Sequence, residues 1–411
     1  MLTGRAWAIL GGGVVLWVAS RIVGSPDLHM IALALIVLVP LAALLVRATR
    51  HELTATRRLS SRRVFPGTRL EVDLEVHNRG RRRTSLLLLE DRIPPSLGRP
   101  ARAALADVPP GGRRDVTYRI SARGRGRFPI GPLAVWVGDP FDLIRHRIEF
   151  PDRHDLIVYP EVEDLGAMPL AAPTGGAGES STRQLFRAGD EFYTMRQYET
   201  GDDLRRIHWP SVARTGKLMI RQDEAVRRAQ ASILLDTRAS ALGDHSDAFE
   251  RAVSTVASIG SHYLRAGFAL RLGTPDRAPR VLDRDQFLEL LALIRPSRSG
   301  QITPALRQLR QSSAPGTALV VVTHVPIPEE VAALSRLGSG YATSLAALIH
   351  AEEPDRLAIR PRWEAERRAD AAAASLSRGG WEVLLLRPSS KLRDAWQLRA
   401  SRPTRRIAAS S

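Results

Sequence analysis

Two apolar runs stand back to back near the start of the chain, residues 6–23 (AWAILGGGVVLWVASRIV) and residues 28–46 (LHMIALALIVLVPLAALLV), with only Gly24-Ser25-Pro26-Asp27 between them. Each approaches the roughly 20 residues that a helix needs to cross a bilayer core. The second run carries neither a charge nor a polar face, so the pair predicts a transmembrane helix hairpin. Arg21 lies near the end of its run, where a long side chain reaches the interface. Arg47, Arg50, Arg57, Arg58, Arg62 and Arg63 follow the second run, whereas the connecting turn holds only Asp27. The positive-inside rule then predicts a two-pass cell-membrane protein with both termini and the bulk of the chain in the cytoplasm. A signal peptide cleaved near Ala19-Ser20 is the competing reading, but it would export the remainder against its own arginines.

With 411 residues the chain has room for several domains of ordinary core size. It contains no cysteine, which removes disulfides, thiolate zinc sites and cysteine nucleophiles. Its formal net charge is +17, with only Lys217 and Lys391 as lysines, and the arginine excess falls just after the apolar runs. Cations in that place suit lipid headgroups better than a dedicated nucleic-acid face. Anionic lipid or nucleic acid held by the arginines of residues 57–127 is therefore a reading that a steep salt dependence would support.

Residues 51–164 predict an antiparallel β-sandwich. In RLEVDLEVHN (69–78) Leu70, Val72, Leu74 and Val76 share one face at period two. TSLLLLEDRI, RDVTYRIS, PLAVWVGD and DLIVYPEV are further short runs, separated by Pro66-Gly67, Asn78-Arg79-Gly80, Pro109-Pro110-Gly111-Gly112 and Asp139-Pro140. RGRGRFPIGP (123–132) opens no helix and reads as a turn with solvated arginines. Residues 165–182, small and without periodicity, predict a linker or loop, and residues 401–411 a basic, disordered tail.

From 225 to 400 strands alternate with helical patterns: ASILLD, FALRLGT, TALVVVTH, TSLAALIH and WEVLLLRP among helices such as DAFERAVSTVASIGSHYLRAG. In that helix Phe249, Val253, Val256, Tyr263 and Leu264 lie near one face. The rhythm predicts a doubly wound α/β domain with its ligand crevice at the C-terminal strand ends. There, Asp236-Thr237-Arg238-Ala239-Ser240 resembles the D-x-S-x-S motif of von Willebrand factor A domains, whose carboxylate and hydroxyls hold a divalent ion. The resemblance would assign Asp236, Ser240 and Thr303 to a metal, Mg²⁺ being the candidate. Arg238 replaces the middle serine, and Thr323-His324 stand where the family has an aspartate. One carboxylate beside a guanidinium is a poor cation site, so the expectation is no cofactor and an Asp236–Arg238 or Asp236–backbone pairing.

Residues 183–224 balance eight basic residues against seven acids, unlike a one-signed nucleic-acid footprint. Asp202, Asp203, His208 and Ser211 are candidate chemical groups, but no nucleophile elbow, zinc or P-loop motif surrounds them. The expectation is a non-enzymatic, ordered clamp between two domains, or a surface read by a protein partner. The run R-x-Y-x-x-G-D-x-x-R-x-I-x-W followed by A-R-x-G-K-L resembles the signature of the bacterial family called domain of unknown function 58. It assigns Arg196, Tyr198, Gly201, Asp202, Arg205, Trp209, Arg214 and Lys217 to the signature, with Arg206 and His208 inside it. The family's R-G-x-x-x-x-G-P and D-P-F turns are matched at residues 125–132 and 139–141, with Asp142 where glycine is frequent. The resemblance implies two membrane helices, a β-rich region, a von Willebrand A-like end, and work with a MoxR-type AAA+ ATPase in maturing or assembling other proteins. The implied function is that of a membrane-anchored cytoplasmic adaptor; the alternative is a divalent-metal-dependent binding module or enzyme.

Overall fold

The computed structural model describes residues 2–401 except 49–51, 85, 139–140, 142, 167–192, 200–201, 204–206, 224–228, 245, 299, 315 and 354–356. The expected loop beyond residue 166, the tail beyond residue 401, Asp139, Pro140 and Asp142 therefore lie outside the described residues. The chain divides into two compact units, Met1–Pro160 and Glu161–Ser411.

The first unit begins with two helices, α1 (Gly4–Val23) and α2 (Pro26–Ala48), each long and apolar enough to cross a membrane. Thr3 caps α1 by accepting the Ala6 N–H, and Gly24 ends it at φ 71°, a left-handed angle suited to glycine. The helices approach closely at Gly13: a Cβ there would stand 2.9 Å from Ile36 Cγ1. Ser20 Oγ and His29 Nδ1 meet at 3.2 Å across the pair.

Among the described residues the β-rich part of this unit forms three sheets, ordered β1-β3-β6, β2-β10-β7 and β5-β4-β8-β9. Their strands are β1 (Leu53–Leu59), β2 (Arg63–Val64), β3 (Arg69–Asn78), β4 (Leu87–Asp91), β5 (Ala101–Leu105), β6 (Arg113–Ser121), β7 (Gly126–Ile130), β8 (Leu133–Gly138), β9 (Arg145–Phe150) and β10 (His154–Val158). β3 buries Leu70, Val72, Leu74 and Val76, as its alternation predicts. Leu74 and Val76 pack with Leu87, Leu89 and Val135, and Leu70 and Val72 with Ile130, Leu156 and Val158, so one sheet serves two partners. Two expectations are corrected. The pairing is not wholly antiparallel, because β10 pairs β2 in parallel. The turn read at 123–132 shrinks to its first residues, since Gly126–Ile130 is a strand laddered against β10.

The second unit opens with a hairpin, β11 (Tyr193–Gln197) and β12 (Met219–Asp223), with helix α3 (Trp209–Thr215) between them. A six-stranded sheet follows, ordered β15-β14-β13-β16-β17-β18. Its strands are β13 (Gln230–Leu235), β14 (Ala269–Thr274), β15 (Arg277–Leu282), β16 (Ala318–His324), β17 (Thr343–Ile349) and β18 (Glu382–Leu386); only β15 runs antiparallel to its neighbour. The helices are α4 (Ala239–Leu242), α5 (Asp247–Arg265), α6 (Arg284–Leu293), α7 (Ile302–Ser312), α8 (Pro328–Gly338), α9 (Ile359–Arg378) and α10 (Leu392–Ser401).

α5 is buried far beyond the one face its pattern predicts, with every residue from Ala252 to Tyr263 enclosed. The second cover is the stretch 161–165, whose residues Glu161 and Val162 continue a strand pattern in the sequence. Ser254 Oγ donates to Glu161 O at 3.0 Å, and Glu163 N–H donates to Ser258 Oγ at 2.9 Å. Arg251 holds the Glu163 carboxylate at 2.6 Å, the Arg393 N–H binds its other oxygen at 3.0 Å, and Leu165 is 1% exposed. The strap's polar anchors explain why α5 carries serines on an enclosed face.

Candidate functional site at the strand ends

β13 reads QASILL and is buried along almost its whole length, so the first polar residue after it emerges at the C-terminal edge of the sheet. That residue is Asp236, whose N–H extends the ladder to Val322 O at 2.9 Å. The chain then turns back: Arg238 N–H donates to Asp236 Oδ1 at 3.1 Å, and its guanidinium folds onto the same carboxylate through Nε at 2.9 Å and Nη2 at 2.7 Å. Ser297 clamps the turn on its other side, donating to Thr237 O and accepting from Ala239 N–H. β16 supplies a further donor, Thr323 Oγ1, at 2.7 Å from Asp236 Oδ2.

A carboxylate offers about four lone-pair positions, and these four donors fill them. Glu330, in the first turn of α8, takes Arg238 Nη1 at 2.8 Å and stands 3.4 Å from His324 Nε2. Asp236 is fully buried, and burial alone would raise its pKa. Hydrogen bonds from Arg238 and Thr323, with the Arg238 charge and the nearby His324 ring, outweigh burial and hold the carboxyl well below the usual carboxylate range. The bond to Asp236 in turn raises the Arg238 guanidinium. Of the two pairings expected as alternatives for Asp236, with Arg238 or with the backbone, the carboxylate makes both.

The other two oxygens assigned to an ion do not join this carboxylate. Ser240 is exposed on α4, and Thr303 is half-buried in the first turn of α7. Among the described residues no group of three or more His, Asp or Glu is placed to hold a metal. Sequence reading missed Glu330 and Thr323 as members of the network. The signal available was their position: each lies at or just after the end of β16, the strand adjacent to β13.

The signature residues separate into a base and an outward loop. Tyr198 N–H donates to Leu218 O, and Asp202 accepts the Glu199 N–H at 3.0 Å to form a turn. Arg196 lies opposite Ile220 in the hairpin register. His208 Nδ1 and Ser211 Oγ meet at 2.9 Å across the first turn of α3. Trp209, Arg214 and Lys217 are exposed. Gly201, Arg205 and Arg206 lie outside the described residues.

These features define a two-unit chain: two helices of membrane-spanning length with a β-rich unit, and an α/β unit whose strand-end site is closed by an internal ion pair. Residues 194–339 match the family described as Protein of unknown function DUF58. The chain is 25% identical over 357 residues to the uncharacterized protein YeaD of Bacillus subtilis, covering 83% of this chain and 84% of that one. Among solved structures, the CARDB domain of the PF1109 protein from Pyrococcus furiosus aligns at 17% identity and a TM-score of 0.20, over 26% of this chain and 93% of that one. The ApaA protein of Bordetella pertussis aligns at 9% identity and a TM-score of 0.20, over 26% and 94%. Likeness at that level carries no argument about fold or function.

Proposed function

We propose that this protein is a membrane-anchored adaptor that works on the cytoplasmic side with a MoxR-type AAA+ ATPase, presenting the C-terminal strand edge of its α/β unit as the docking face. The observation that carries the reading is the saturation of Asp236. Its four acceptor positions are taken by Arg238 and Thr323, which supports reading the guanidinium in the role of the ion that the resemblance to von Willebrand factor A domains implies. The sheet order β15-β14-β13-β16-β17-β18, with one antiparallel edge strand, supports that fold assignment.

Apolar side chains at the same end of the sheet support protein contact rather than chemistry. Ile327, three residues past His324, is 54% exposed; Ile359 and Trp363, at the start of the helix that follows β17, are 90% and 57% exposed. Exposed anchors of this kind beside a rigid polar network suit a partner surface. The two apolar helices and the arginines that follow them support the anchor and its sidedness.

The test is crosslinking of the tagged full chain in native membranes, with and without ATP and Mg²⁺, comparing wild type with Ile327→Asp and Trp363→Ala. Recovery of an AAA+ ATPase that either substitution abolishes supports the reading. Equal recovery by all three moves the docking face elsewhere, and recovery of no ATPase removes the partnership.

A further inference from the structure

The stretch from His208 to Met219 leaves the β11–β12 hairpin and returns to it at one point. His208 donates its backbone N–H to Met219 O at 2.9 Å, and Ile207 bridges Ile220 just beneath. Trp209 and Leu218, each one step inside that closure, therefore flank the same neck of the loop. Both are exposed, at 65% and 42%. Helix α3 between them buries none of its side chains, so the loop is not covering a core of its own.

Its charge is one-signed where the wider segment is balanced. Between Asp203 and Asp223 the sequence holds no carboxylate. Arg214 and Lys217 are exposed, and among the described residues neither makes an ion pair. Gly216, at φ 67°, turns the chain after the helix so that Lys217 and Leu218 follow directly on the outer face.

An exposed indole and a leucine cost free energy in water unless something covers them. Tryptophan settles at the headgroup level of a bilayer, and nearby cations are drawn to anionic lipid. An acidic protein would satisfy Arg214 and Lys217 as well, but the chain's own two membrane-length helices favour the lipid surface. A tethered loop meets headgroups at high effective concentration.

We propose that the 208–219 loop is a membrane-contact element, with Trp209, Pro210 and Leu218 entering the headgroup layer of an anionic bilayer and Arg214 and Lys217 pairing with its phosphates. The proposal rests on the anchoring stated above. Incorporation of the chain into lipid discs reports the anchor, and the depth of the loop reports the contact.

The absence of cysteine makes the test direct, because one introduced thiol takes one label. The full chain with Leu218→Cys, carrying a nitroxide, is placed in discs of phosphatidylcholine and in discs that also contain phosphatidylglycerol; Leu398→Cys on α10 is the aqueous reference. The expected result is an increased ratio of oxygen to nickel-chelate accessibility at position 218 only, and only with phosphatidylglycerol. Arg214→Gln and Lys217→Gln should each lower the bound-to-free ratio about fivefold. A label at 218 as open to the chelate as the one at 398 in both discs overturns the proposal. A label that stays aqueous in lipid but becomes immobilised in native membranes overturns it in favour of an acidic protein.

Discussion

Arg57 and Asp91 meet deep within the β-rich unit, the guanidinium 3% exposed and the carboxylate 0%, with Nε at 2.9 Å and Nη2 at 2.5 Å from its two oxygens. The bond joins β1 of one sheet to β4 of the sheet packed against it. Tyr118 adds its hydroxyl to the same carboxylate at 2.6 Å, and Arg57 also reaches the Ile130 and Asp152 carbonyls. Burial, then the Asp91 charge, push the tyrosine well above its usual range.

Removing one partner of such a pair leaves a buried charge without compensation. Arg57→Leu should therefore cost about 3–5 kcal/mol, while Arg57→Leu with Asp91→Leu should recover most of it. Thermal unfolding of the full chain in detergent checks both; a single-variant loss below about 1 kcal/mol would show that the pair does not hold the sheets.

The strand-end network makes a parallel prediction with a different readout. Arg238→Ala strips two donors from Asp236 and one from Glu330. The loss should be about 3–5 kcal/mol. Because the vacated carboxylate is then open, Mg²⁺ should raise the melting temperature of Arg238→Ala more than that of wild type. Equal response to the ion in both would contradict the view that the guanidinium occupies a cation's place.

Acid should weaken the second unit in two waves. Burial, followed by Arg265, lowers the pKa of His262, and burial, followed by Arg387, lowers that of His350. The unfolded chain thus binds more protons than the folded one, and stability falls as pH drops below the ordinary histidine value of about 6.5. Asp236 behaves likewise below about pH 4, where the unfolded aspartate protonates first. Melting curves across pH should show both declines, and His262→Gln should shrink the first and spare the second.

Gly260 offers a test by sign. In an exposed helix Gly→Ala stabilises by roughly 1 kcal/mol. Here a Cβ would fall within contact of the Phe287 ring and stand 3.1 Å from Leu270 Cδ2, so Gly260→Ala should destabilise by about 1–3 kcal/mol. Phe287→Leu in the same chain should recover part of that loss; a stabilised single variant would mean the helices yield easily.

The parts of this fold that could be read from sequence are those where one periodicity dominates. Leu70, Val72, Leu74 and Val76 announce their strand, and the buried runs of β13, β16 and β17 announce parallel sheet. Arg238 could be paired with Asp236 because the two lie two residues apart. Glu330 could not, because its partner is 92 positions earlier and its own helix pattern explains it as a first-turn acid. The strap at 161–165 was hidden for a similar reason: Glu161-Val162 continue a strand pattern locally, and only Ser254 and Ser258, far along the chain, reveal where they bind.

That strap bears on where a self-sufficient piece of this molecule begins. The family match starts at residue 194 and stops at 339. A fragment cut to those limits would lack Leu165 and the bonds that Glu161 and Glu163 make to α5, and would end before β17 and β18. The matched stretch and the folding unit are different lengths of chain, and recombinant work should follow the longer one.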